Sequence, residues 1–198
     1  MALFTAAFFF RADGADPTDR IVRDGELDRS ILVAVPDGEA AAAVAAELQE
    51  GGLDLVELYG GLGPKAAAAV VRATGGDVPV GAVGVEEHGP PGERAVIIES
   101  VGADPQTDRH VIDHAQGRLT IVFVPDVGIV PAVAAELADG GARRIELCGG
   151  MGVLPAAAVI AAVGEGVAVG AVMFGFESVP GAAVYRARYE AALAVASA

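Results

Sequence analysis

One unit of sequence occurs twice in this 198-residue chain, and the duplication limits the possible folds more than any other feature. "VPDGEAAAAVAAELQEGGLDLVELYGGLG" aligns without a gap on "VPDVGIVPAVAAELADGGARRIELCGGMG". Asp37 to Asp126 and Glu57 to Glu146 are both separated by 89 residues (126 − 37 and 146 − 57). The match runs on into "VPVGAV" and "VAVGAV". Upstream, "GADPTDR" from Gly14 and "GADPQTDR" from Gly102 are 88 apart (102 − 14), so one residue has been gained or lost between them. The copies, residues 1–88 and 92–198, meet near "EHGPPGER" and together are expected to form a single domain with an internal repeat. The second copy adds a tail helix, "PGAAVYRARYEAALAVAS".

Each copy reads as strand, helix, strand, helix, strand, helix, strand. In the first, "FTAAFFF", "ILVAV", "LDLVELY" and "VPVGAVGV" are apolar runs of strand length. "DPTDRIV" predicts a short helix capped by Asp16 with Pro17 at its first position, and "DPQTDRHVIDHAQ" predicts its counterpart. "GEAAAAVAAELQEGG" and "GPKAAAAVVRATGG" are alanine-rich helices closed by glycine. Continuous apolar strands separated by helices indicate a parallel sheet covered by those helices. Eight strands in two equal sets predict a compact (βα)8 barrel of TIM type, built from two (βα)4 halves. The joint "EEHGPPGER" is too short for a crossover helix, so the barrel is expected to lack its fourth helix. An open α/β sheet, or two packed half-domains, is the alternative.

Composition narrows the partners. Hydrophobic residues make up 53%, but they are largely alanine and valine, and no run approaches the roughly 18 uninterrupted apolar residues of a membrane span. "MALFTAAFFF" has no basic start and runs into Arg11 and Asp13, which suits a first strand rather than a signal peptide. A single cysteine excludes an intramolecular disulfide and fits a cytoplasmic protein. The net charge of −14, with no basic run, argues against nucleic acid and against an anionic membrane surface. A small-molecule ligand remains open, and alanine-rich helical faces permit homo-oligomers.

The units "IELCGGMG" and "VAVGAVMFGFES", with "GADP" after the first strand, resemble a family of small uncharacterised bacterial domains, each about the length of one copy. The resemblance covers essentially the whole chain, taken twice. It implies a tandem-duplicated member of a family with no assigned activity, and so carries over no catalytic residue. The first copy departs from the pattern at Tyr59, in place of Cys148, and at "VGVEEHG", in place of "MFGFESV".

A glutamate inside an apolar strand is the feature that calls for chemistry. Strand side chains alternate, so Ile145 and Leu147 should meet the helices while Arg144, Glu146 and Cys148 share the other face. Leu55, Glu57 and Tyr59 repeat this, and in a barrel the two glutamates would face each other across the carboxyl-terminal mouth. A buried carboxylate needs a partner. Glu146 could find one in Arg144 or Arg11 as part of a structural network, or Glu57 and Glu146 could be the acid/base groups of a site. The turns Gly60, Gly61, Gly63 and Gly149, Gly150, Gly152 lead straight into helices, where free amides bind anions; close packing explains the same glycines. Tyr59, Cys148 and Arg11 complete the candidate ligand-binding set.

An acidic rim of Asp37, Asp126, Glu86, Glu99 and Glu177, with Ser100 and Ser178, could hold a hard cation. Helix capping is the simpler role for Asp37 and Asp126, and no metal ligand is assigned. His110 and His114 are four apart on a predicted outer helix, far from a mouth, and His88 lies in the joint. No dinucleotide fingerprint, P-loop, nucleophile elbow or zinc-protease helix occurs, so the cofactor is unknown and enzymatic activity is undecided. The expected function is binding of a small polar or phosphorylated metabolite at the mouth, with acid/base chemistry by Glu57 and Glu146. The rival is a non-catalytic structural or assembly module whose glutamates belong to its framework.

Overall fold

The computed structural model describes residues 4–84, 92–115 and 117–196. Glu86, His88 and most of the joint lie outside them. Contacts divide the chain into two compact units, Met1–Glu87 with Met173–Ala198, and His88–Val172. The tail that follows the second copy in sequence thus groups with the first.

The first unit contains β1 (Phe4–Arg11), β2 (Arg20–Asp24), β3 (Asp28–Val35), α1 (Gly38–Glu50), β4 (Leu55–Tyr59), α2 (Pro64–Ala73) and β5 (Val80–Ala82). The second contains β6 (Arg94–Glu99), β7 (Arg109–His114), β8 (Gly117–Val124), a 3-10 turn (Val127–Ile129), α3 (Val130–Asp139), β9 (Arg144–Leu147), α4 (Val153–Val163) and β10 (Ala168–Ala171). β11 (Met173–Phe174) and α5 (Val179–Ala196) complete the first unit.

The strands form two sheets, in the orders β11-β5-β4-β1-β3-β2 and β10-β9-β6-β8-β7. A closed eight-stranded ring is therefore not what the described residues build. A half-barrel keeps its parallel strands in sequence order, whereas here the first strand of each copy, β1 or β6, lies between the second and third parallel strands. The chain leaves β3 on one side of β1 and returns through α1 to β4 on the other. Both sheets are mixed, because β2 and β7 run antiparallel to β3 and β8.

Those antiparallel strands stand where helices were expected after β1 and β6. Asp16 does not cap a helix: its carboxylate accepts from the Thr18 amide (2.9 Å) and hydroxyl (2.8 Å), closing a turn. Ile21 and Val22 then favour extended backbone, and pairing with β3 along a hairpin settles it. Arg20, Arg23 and Asp24 give this outer strand the charges that suit a sheet edge. His110 and His114 accordingly sit on edge strand β7, not on a helix.

In the first unit α1 and α2 cover one sheet face. Phe9, Val33, Val56 and Leu58 pack there with Ala41, Ala45, Ala66 and Val70 in a single apolar core. α5 covers the other face, where the Phe4 ring meets Tyr185 (5.5 Å) and Tyr189 (5.2 Å) and the Arg188 guanidinium lies 5.2 Å over it. Among the described residues no helix is long and apolar enough to cross a membrane.

Asp37 caps α1, accepting from the Glu39 and Ala40 amides at 2.9 Å each, and Asp126 accepts from Gly128 at 2.7 Å. Asp37→Ala should cost about 1 kcal/mol, as loss of a helix cap typically does. Urea unfolding would measure it; an unchanged midpoint would mean that solvent replaces the cap fully.

Candidate functional site

Every residue of β4 is buried. Register places Glu57 opposite Phe8, and Tyr59 opposite Phe10, on the face that α5 covers. Glu57 is 2% exposed, and the hydroxyl of fully buried Tyr59 donates to its Oε2. The Tyr59 ring stacks on Phe10 with centroids 5.3 Å apart. Asp28 and Ser30 occupy the same face on β3, with the Ser30 hydroxyl donating to Asp28 Oδ2 at 3.1 Å. Tyr185 enters from α5: burial, then the nearby Asp28 carboxylate, pushes its phenol pKa up, so it stays a neutral donor across the working pH range. A cavity of about 360 Å³ lies beside α5 at the amino ends of β4 and β5, lined by Leu53, Pro79, Val184 and Tyr185 with the Asp54–Arg188 ion pair (3.1 Å).

In the second unit Glu146 is 3% exposed on β9, and its surroundings differ. The Arg144 guanidinium donates twice to Glu146 Oε1, from Nε at 2.8 Å and from a terminal nitrogen at 2.7 Å. Ile145 and Leu147 are fully buried, as alternation requires. Cys148 is buried, with its Sγ accepting from the Glu99 amide at 3.4 Å. His114 Nε2 lies 2.8 Å from an Arg94 guanidinium nitrogen, which can only donate, so that histidine nitrogen accepts. The His110 ring packs edge-on to Phe123.

The glycine turns sit at the carboxyl edges of the sheets. Gly60 and Gly61 adopt φ of 71° and 88°, so a tight left-handed turn accounts for both. α2 then begins at Gly63 and Pro64 with no side-chain cap on its first amides, unlike α1. Arg11 ends β1, one residue beyond the Phe10–Tyr59 pair, and contacts Asp13 at 3.4 Å. In the second unit this edge carries the opposite charge. Register aligns Arg11 with Glu99, and the Glu99 carboxylate lies 4.0 Å from where a side chain on Gly150 would start. Gly149 and Gly152 continue that turn, with Gly152 at φ 75°.

The expected residues are thus brought together in part. Glu57 joins Tyr59, Arg11 shares the carboxyl edge with Gly60, Gly61 and Gly63, and Glu146 joins Arg144. Glu57 and Glu146 lie in separate sheets, not on two sides of one ring. Asp28, Ser30 and Tyr185 escaped sequence reasoning, although polar residues two apart in "DRSIL" mark a shared strand face. Ser178, expected on an acidic rim, instead accepts the Val80 amide at 3.0 Å. Among the described residues no group of three His, Cys, Asp or Glu side chains is placed to hold a metal ion.

A model of a family of unknown function, DUF6506, matches the chain twice, over residues 4–96 and 92–187. No curated protein and no solved structure matches it.

Proposed function

The chain belongs to that family as two of its domains fused in tandem, and on this premise we propose that the first unit binds a small polar or phosphorylated metabolite at the carboxyl edge of its sheet, with Glu57 as acid/base group. The observation that carries this reading is a contrast between the copies. Arg144, which pairs with Glu146, is replaced in the first copy by Leu55, so the cation that Glu146 finds on its own strand has no counterpart on the strand of Glu57, which accepts from the Tyr59 phenol. Gly117 and Leu119 replace Asp28 and Ser30, and Glu99 replaces Arg11. Arg11 and the first amides of α2 supply positive potential suited to an anion. In this reading Glu57, held by the Tyr59 phenol, takes a proton from the bound substrate.

The structural reading fits the second unit, on the strength of the Arg144–Glu146 ion pair. There the glutamate serves the framework and the glycine turn faces Glu99.

A thermal-shift screen against phosphorylated metabolites and small carboxylates tests both. A ligand at a hundred times its dissociation constant adds about 2.7 kcal/mol to stability. The shift should vanish in Glu57→Gln and persist in Glu146→Gln. Equal loss in both variants, or a shift that survives Glu57→Gln, would sink the assignment to the first unit.

A further inference from the structure

α2 and α4 are the same helix of the repeat, and they present opposite chemistry to solvent. Val70 and Val159 align, and both are fully buried against their own units. Outward, α2 carries Lys65, Ala68 and Arg72, whereas α4 carries Leu154, Ala157 and Ala161 at the same places. The sequence of α4, "VLPAAAVIAAV", contains no polar side chain at all. Leu154 is 82% exposed, Val153 64% and Ile160 55%, and Ala157, Ala158 and Ala161 are exposed between them. Leaving such side chains in water opposes the hydrophobic effect, and the first copy demonstrates that charged residues are compatible with these positions.

We propose that this strip of α4 is a self-association surface, on which the α4 of a second copy of the chain packs about a two-fold axis. Charge leaves α4 as the place where two copies can meet. Each chain carries a net charge of −14, so two copies repel over most of their surfaces, but α4 brings no carboxylate to the contact. Shape agrees. At 3.6 residues per turn Ala157 and Ala161 form a shallow central groove, with Val153 and Ile160 on one side and Leu154 and Ala158 on the other. A two-fold axis lays the ridge of each helix into the alanine groove of the other, the self-complementary arrangement that an isologous interface needs. A specific interface should clear about 1,000 Å² in total, roughly 500 Å² on each copy, and six side chains of the strip, Leu154 at 82% and Val153 at 64% among them, stand open to be covered.

The test is the molar mass of the full chain by sedimentation equilibrium across a concentration series. Wild type should pass from one to two chains as concentration rises. Leu154→Lys and Ala161→Arg, which install the residues α2 carries at these places, should each remain monomeric with an unchanged melting temperature. Both positions are exposed, so folding should tolerate either change, and agreement between the two guards against an idiosyncratic effect. A wild type that stays monomeric throughout overturns the proposal, as do variants that dimerise as well as wild type. A monomer that cosediments with phosphatidylcholine vesicles would assign the strip to a lipid surface and overturn it too.

Discussion

Arg144→Leu is expected to destabilise the protein by about 3–5 kcal/mol, the cost of leaving a buried carboxylate without its cation. Glu146 is almost fully buried, and two guanidinium nitrogens of Arg144 converge on one of its oxygens. For a chain of this length such a change lowers the melting temperature by on the order of 10 °C. Leucine is chosen because the first copy carries Leu55 at this place, so the side chain is compatible with the strand. Adding Glu146→Gln should recover more than half of the loss, since the stranded charge is then gone. Equilibrium urea unfolding of the three variants decides the matter. A single variant within 1 kcal/mol of wild type would show that Glu146 does not depend on Arg144.

Phe9→Ala should be of similar size, about 3–5 kcal/mol, for a different reason. Phe9 lies on β1, the strand between β3 and β4, and points with no exposure into the core formed with α1 and α2. Truncation removes the ring's transfer free energy and leaves a cavity that a close-packed core fills poorly. Phe9→Leu retains most of the volume and should cost less than half as much. The comparison is read from unfolding midpoints at constant slope; equal losses for alanine and leucine would place Phe9 outside a tightly packed core.

Alternation alone sorted the site strands correctly. It paired Ile145 with Leu147 on the apolar side, set Glu146 beside Arg144, and put Glu57 beside Tyr59, because side-chain direction in a strand depends only on residue parity. The same rule could have added Asp28 and Ser30. Tyr185 could not be placed in this way, since a helix 126 residues after Tyr59 in the chain (185 − 59) reaches Glu57's face only through packing. Asp16–Pro17 misled because Asp-Pro opens a helix or a turn equally well, and the choice fell to the hairpin partner β3.

The sequence by itself determined the duplication, the positions of the apolar strands and alanine-rich helices, and which side of each strand bears the glutamate. All are properties of short segments or of direct comparison between copies. Only the tertiary structure decided the strand order, the antiparallel edges, the two sheets in place of a ring, and the grouping of α5 with the first unit. Strand order depends on backbone hydrogen bonds between segments distant in sequence, and an apolar strand offers both its edges equally; nothing local says which neighbour takes them.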